Sequence, residues 1–147
     1  MFTVADMMTP NPHTLTLSST VGDANQLMKR ADIRHIPLLD ENNTLCAIIT
    51  QRDLLAAQHS QLESLTDQQS SILQAPLSRL AKREFITVSR HASLKQAAIY
   101  MQKHKIGCLP VVDDGELFGI ITDSDFVTIA INLLEIQEES EPLAYDE

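Results

Sequence analysis

Ile36-Pro37-Leu38-Leu39-Asp40, followed by Ala47-Ile48-Ile49-Thr50-Gln51-Arg52-Asp53-Leu54, returns later in the chain. It reappears as Leu109-Pro110-Val111-Val112-Asp113, followed by Gly119-Ile120-Ile121-Thr122-Asp123-Ser124-Asp125-Phe126. A duplication of this kind sets the architecture before any single motif is read, because each copy is one supersecondary unit. The offset is 73 from Pro37 to Pro110 and 72 from Thr50 to Thr122, so the first copy holds one extra residue between its apolar runs. A length difference tolerated there marks a turn. Asp114-Gly115 is a tight-hairpin signal because both residues tolerate positive φ, and Glu41-Asn42-Asn43-Thr44 is its longer counterpart. Each half is therefore predicted to contain a β-hairpin.

Upstream of each hairpin, apolar residues recur at helical spacing: Val21, Ala24, Leu27, Met28 and Ala31 in the first half, Leu94, Ala97, Ala98 and Met101 in the second. Thr14-Leu15 and Thr87-Val88 read as short extended pieces before these helices. A second helix follows each hairpin, from Leu54 onward and over Phe126 to Leu134. The unit is β-α-β-β-α, twice. Residues 1–60 and 77–135 are expected to be the repeats, 61–76 a polar linker and 136–147 an acidic tail that is solvated and frayed. Met7-Met8-Thr9-Pro10 and Leu77 to Lys82 are read as lead-ins, each packing on the opposite half.

At 147 residues and 44% hydrophobic, the chain can bury one substantial core or two small units sharing one. No stretch approaches the roughly 18 unbroken apolar residues of a membrane span, and the first dozen residues lack a signal-peptide layout. Cys46 and Cys108 sit in apolar surroundings that suit free thiols, so a cytoplasmic setting is expected. The net charge of −9 comes without a basic stripe, which argues against a nucleic-acid partner, since that affinity rests on Lys and Arg displacing counterions.

The Thr-x-x-Asp pairs, Thr50/Asp53 and Thr122/Asp125, fall where a strand ends and a helix starts. One reading is structural: each is a capping box that satisfies the unpaired N–H groups of the helix. The other is functional: the same helix end suits an anion, and a carboxylate beside it accepts hydrogen bonds from both hydroxyls of a ribose. A nucleoside phosphate fits a site with both features.

The duplicated hydrophobic-Pro-hydrophobic-hydrophobic-Asp segment followed by Ile-Ile-Thr-x-x-Asp resembles a tandem pair of cystathionine β-synthase (CBS) domains, a Bateman module. The resemblance covers nearly the entire chain. It implies an α/β (α+β) fold of two CBS repeats forming one pseudo-two-fold module. The opening Asp6-Met7-Met8-Thr9-Pro10-Asn11-Pro12 is similar to the lead-in of stand-alone bacterial members. Ile106-Gly107-Cys108-Leu109-Pro110, Ile120-Ile121-Thr122-Asp123-Ser124-Asp125 and the acidic helix after them look most like the acetoin-utilisation (AcuB-like) proteins.

The resemblance implies that Asp53 and Asp125 hold ribose hydroxyls, with Thr50 and Thr122 beside them, in two related clefts between the repeats. Ile36 and Pro37, or Leu109 and Pro110, are the matching adenine walls. Backbone near Thr14 or Thr87 reads the adenine edge. It also implies a homodimer formed through the CBS helices, consistent with the nearly all-round apolar run from Phe126 to Leu134. The ligand class is adenosyl: AMP, ADP, ATP, S-adenosylmethionine or NAD. A regulatory role toward an unidentified protein partner follows, with no cofactor required.

The two copies are not equivalent. Arg52 lies in the first junction, where a guanidinium can pair with phosphate oxygens, whereas the second has Asp123 and Ser124 and no such cation. Gly119 of the second copy is Ala47 in the first, a change that crowds any close backbone approach. Arg34 and His35, just before Pro37, have two readings, plain surface placement, which is the favoured one, and a reach to a ligand phosphate from the side. The five histidines show no metal-ligand spacing. No phosphate loop, nucleophile elbow or Cys–His signature points to an enzyme. The alternative to a sensor is a structural dimerisation module whose Thr-x-x-Asp pairs are only caps.

Overall fold

The computed structural model describes residues 1–63 and 69–140. In the first half, β2 (Leu15–Thr16), α2 (Val21–Ala31), β3 (His35–Leu39), β4 (Leu45–Thr50) and α3 (Gln51–Glu63) follow one another. The second half holds α5 (Leu94–His104), β5 (Cys108–Asp113), β6 (Glu116–Thr122) and α6 (Asp123–Ser140), with the extended piece at Val88 reduced to one parallel bridge to Val111. This is the expected β-α-β-β-α unit, twice, in a mixed α/β fold. The lead-ins are α1 (Val4–Met7) with β1 (Thr9–Pro10), and a 3-10 turn over Leu77–Arg79 preceded by α4 (Gln69–Leu73). Of the expected linker, residues 64–68 lie outside the described residues, as do residues 141–147 of the tail. Among the described residues no helix is long and apolar enough to cross a membrane.

Local chemistry explains the elements. Thr20 and Asp23 close a reciprocal capping box at the start of α2, Thr20 N donating to Asp23 at 2.9 Å and Asp23 N to the Thr20 hydroxyl at 3.1 Å. Ser93 caps α5 by accepting from Gln96 N at 3.0 Å. Both helices end on a left-handed residue, Asp32 at φ 55° and Lys105 at φ 54°. Val21, Ala24, Leu27 and Met28 of α2 and Leu94, Ala97 and Met101 of α5 are buried, as their spacing predicts. In the second hairpin, Asp114 and Gly115 have φ of 51° and 78°, the paired positive values of a tight turn.

Each half has its own three-stranded sheet, β2-β3-β4 and β1-β6-β5. The third strand of the second sheet comes from the other end of the chain: β1 runs antiparallel to β6, with Thr9 opposite Ile120 and Pro10 opposite Gly119. The exchange is reciprocal. Leu94 N, the first donor of α5, bonds Phe2 O at 2.9 Å, and Val21 N, the first donor of α2, bonds Ala75 O at 2.9 Å. Val4 N bonds Ala92 O at 2.9 Å and Leu77 N bonds Ser19 O at 2.8 Å. Exchanging the halves maps each bond onto its partner, so a pseudo-two-fold relates them. The lead-ins fill orphan helix donors and enter the opposite cores, Val4 among Val88, Leu109 and Ile121, Leu77 among Ile36, Leu38 and Ile49.

Gly119 is explained by this crossing. A Cβ there would lie 2.6 Å from Met8 Sδ and 2.8 Å from Thr9 O. In the first half Ala47 stands at the equivalent strand position and small Ala81 packs on its core where Met8 packs in the second. There the lead-in makes a single bridge, Ile48 to Lys82, in place of the two-residue ladder of β1 and β6. The extra methyl of Ala47 is met by a smaller neighbour and a shorter pairing.

Candidate functional site

Both Thr-x-x-Asp pairs are formed capping boxes. At the head of α3, Thr50 donates to Asp53 Oδ2 from its N–H at 3.1 Å and its hydroxyl at 2.8 Å, while Asp53 N donates to the Thr50 hydroxyl at 3.2 Å. At the head of α6, Thr122 N donates to Asp125 Oδ2 at 2.9 Å and Asp125 N to the Thr122 hydroxyl at 3.3 Å. These caps start the helices at Gln51 and Asp123, three residues before the predicted Leu54 and Phe126, and α6 runs past Leu134 to Ser140.

The two carboxylates differ in what else they meet. Equivalent lead-in positions deliver Lys82 to Asp53 and Thr9 to Asp125. Lys82 Nζ stands 3.9 Å from Asp53 Oδ1, whereas the Thr9 hydroxyl donates to both Asp125 oxygens, at 3.1 and 3.4 Å. Asp125 is thus occupied by the chain's own hydroxyl. Asp53 does not itself line the neighbouring cleft, but its Oδ1 faces Lys82, which does.

That cleft, of about 1140 Å³, lies beside the first junction. Thr50, Gln51 and Arg52 line it from the first junction, and Arg34, Lys82 and Lys105 bring further cations. Its apolar surface comes from Ile48, Phe85, Ile86, Ile106 and Cys108, with Ile48, Cys108 and Phe85 packed together where the two halves meet. His35 and His59 also face it. Burial pulls the His35 imidazole below its ordinary value despite the opposing pull of Asp123, so the ring favours its neutral form. Burial pushes the Cys108 thiol up to about 12, and Asp123 adds to the rise. Cys108 is a wall here and stays protonated at neutral pH.

Several predicted site residues lie elsewhere. Ile36, Pro37, Leu109 and Pro110 are fully buried in the cores and do not line the cleft. Strands covered on both faces bury consecutive residues, and the cleft-facing positions fall to their neighbours His35 and Cys108. Thr14 lines a separate cavity of about 320 Å³ with Asn11, Pro12 and Asn43, and Thr87 is exposed next to Ile86. Thr122, Ser124 and Asp125 stand outside the large cleft, which Asp123 alone of that junction reaches. The second junction does have a cation: Arg34 of the first half donates from Nη2 to Asp123 Oδ1 and to the Ser124 hydroxyl, both at 3.1 Å. Lys82, Phe85, Ile86 and Lys105 escaped the motif reading because connecting segments carry them. The offset of 73 between Thr9 and Lys82 was the available signal. Among the described residues no group of acidic, His or Cys side chains is placed to hold a metal ion.

Comparison with known proteins agrees with this architecture. The CBS domain family model matches residues 4–60 and 77–132. A proposed acetoin utilization protein (AcuB) from Vibrio cholerae has a solved structure 56% identical to this chain, covering 97% of it and 99% of that chain at a TM-score of 0.81. CBSX2 in complex with AMP is 32% identical, covering 90% and 98% at a TM-score of 0.75. The CBS domain pair of MJ0100, in complex with 5-methylthioadenosine and S-adenosyl-L-methionine, is 25% identical, covering 90% and 98% at a TM-score of 0.78. Among curated sequences, a homoserine O-acetyltransferase of Methanocorpusculum labreanum is 33% identical over 82% of this chain. This chain spans only 22% of that enzyme, against 93% of a CBS domain-containing protein of Dictyostelium discoideum to which it is 30% identical. With two matched copies spanning most of its length and the reciprocal fold described above, the chain belongs to the CBS domain family and forms a Bateman module.

Proposed function

We propose that this module is a regulatory sensor, not an enzyme, that takes an adenosyl ligand in the cleft at the Thr50-Asp53 junction. The observation that carries the reading is the combination in one cleft of an apolar slot and four cations, with the Asp53 carboxylate next to the lining residues Arg52 and Lys82. The slot formed by Ile48, Phe85, Ile86 and Cys108 suits a flat base, Asp53 Oδ1 suits a ribose hydroxyl, and Arg52 and Lys82 suit phosphate. The complexes of CBSX2 with AMP and of MJ0100 with adenosyl compounds support the same class. The Thr9 hydroxyl competes with a ligand for both Asp125 oxygens, which favours one ligand per chain. The free thiols Cys46 and Cys108 suit a cytoplasmic setting, and similarity to the Vibrio cholerae protein supports a link to acetoin utilisation.

A panel of AMP, ADP, ATP, S-adenosylmethionine and NAD in thermal-shift measurements tests this. A ligand at a hundred times its dissociation constant adds about 2.7 kcal/mol, several degrees for a chain of this size. Asp53→Ala should abolish the shift and Asp125→Ala should retain it. Each variant loses one helix cap, costing about 1 kcal/mol, so the second controls for the first. If no compound shifts the wild type, both pairs are only caps and the chain is a dimerisation module.

In either reading we propose a homodimer through α6. That helix buries none of its residues within the chain, and it exposes Val127, Ile131, Leu133, Leu134 and Ile136 by 50 to 61%. Light scattering should give twice the chain mass, and Leu134→Glu should reduce it to the monomer. A wild-type monomer at micromolar concentration would count against the interface.

A further inference from the structure

We infer that the Thr50-Asp53 cleft selects a phosphate chain, an adenosine di- or triphosphate in preference to a monophosphate or to cationic S-adenosylmethionine. The inference rests on the adenosyl reading of that cleft. The chain has 11 Lys and Arg residues against 20 Asp and Glu, yet four of the 11, Arg34, Arg52, Lys82 and Lys105, line this one cavity. The acids lining it are Glu84 and Asp123. Such a local reversal of sign in an acidic protein raises the concentration of anions at the cleft.

The cations come from separate segments of both halves. Arg52 lies in the first turn of α3, beside Asp53, and Arg34 precedes β3. Lys105 comes from the opposite half, where it closes α5 in a left-handed conformation at φ 54°. Arg52 and Lys105 have no carboxylate partner among the described residues. Arg34 is held by Asp123 and Ser124, but the ion pair is half exposed, its side chains 53% and 51% accessible. Exposed pairs of this kind are weak, so a phosphate chain can draw the guanidinium off at little cost. A ligand whose ribose sits on Asp53 would meet Arg52, the adjacent residue, with its first phosphate and use further phosphates for Arg34 and for Lys105, which the opposite half supplies. The volume of about 1140 Å³ slightly exceeds the roughly 300–1,000 Å³ of ordinary small-molecule sites and leaves space for them.

Calorimetric titration of the full chain with ATP, ADP, AMP, S-adenosylmethionine and inorganic tripolyphosphate tests this. ATP and ADP should bind about tenfold or more tighter than AMP, the size of one charge-assisted hydrogen bond. Arg34→Gln combined with Lys105→Asn, the asparagine chosen because it tolerates the left-handed conformation, should remove most of that advantage and change AMP affinity by less than about threefold, since Arg52 is kept for the first phosphate. Raising salt should weaken ATP more steeply than AMP. AMP or S-adenosylmethionine binding as tightly as ATP overturns the inference and leaves the adenosyl reading standing, as does an ATP preference that survives in the double variant. Tripolyphosphate matching ATP overturns it in favour of a general polyanion site. If no adenosyl compound binds, the adenosyl reading itself falls and the inference with it.

Discussion

Leu77→Ala should lower the unfolding free energy by about 3 kcal/mol, within the range of roughly 2–5 measured for buried leucines truncated to alanine. Leu77 is 0% exposed and packs in the core of the first half, although it belongs to the lead-in of the second. Only a neighbour free to collapse could soften the loss, and those around it, Ile36, Leu38 and Ile49, are held in paired strands. Urea unfolding should show the midpoint falling with little change of slope, and the melting temperature should drop by roughly 6–12 °C. Hydrogen exchange should rise in β3 and β4 as well as near the substitution. A loss below about 1 kcal/mol would mean that the lead-in is not part of that core.

Gly119→Ala is expected to destabilise by about 2 kcal/mol, through overpacking alone. The added Cβ would meet Met8 Sδ at 2.6 Å and the Thr9 carbonyl at 2.8 Å. The sulfur is on a flexible side chain and can move, whereas the carbonyl belongs to the backbone that pairs β1 with β6. A double-mutant cycle with Met8→Ala separates the two contacts. The double variant should be more stable than the sum of the single losses by about 1 kcal/mol, and should still fall short of the wild type because the carbonyl clash remains. Denaturant titration of the four proteins gives the answer, and a Gly119→Ala protein as stable as wild type would refute the close-crossing account. The first half carries the milder arrangement, Ala47 with Ala81 on its core.

The elements that could be read from the chain were those written in local physics. Positive-φ residues at Asp114-Gly115, the apolar faces of α2 and α5 and the repeated Thr-x-x-Asp boxes each act within a few residues, so their signals are local. The exchange of lead-ins was also legible, because Met7-Met8 and Leu77 are apolar where a free linker would be polar. The cleft was legible only in part. Thr50 and Arg52, which line it, follow from the motif, as does Asp53 next to them. Phe85, Ile86 and Lys105 are brought in by docking of one half on the other, which no short window records. Ile36 and Leu109 were read as walls because an apolar residue beside a motif looks the same whether it faces a cavity or a core. Arg34 shows the same limit, since its partners Asp123 and Ser124 lie 89 and 90 residues away.

The reciprocal exchange also governs how the chain acquires its structure. The bonds Leu94 N to Phe2 O and Val4 N to Ala92 O, and the Thr9–Asp125 contact, close loops of about 90 residues or more. Closure on that scale costs entropy before it returns any contact, so the final docking step should be slow compared with formation of the hairpins. On the ribosome the first ten residues emerge long before the core that receives Val4 exists. The first half must likewise wait for Ala75 and Leu77 before its own core is filled. Neither repeat should reach its native state ahead of the other, and nascent chains should remain open to proteolysis until both repeats have been synthesised.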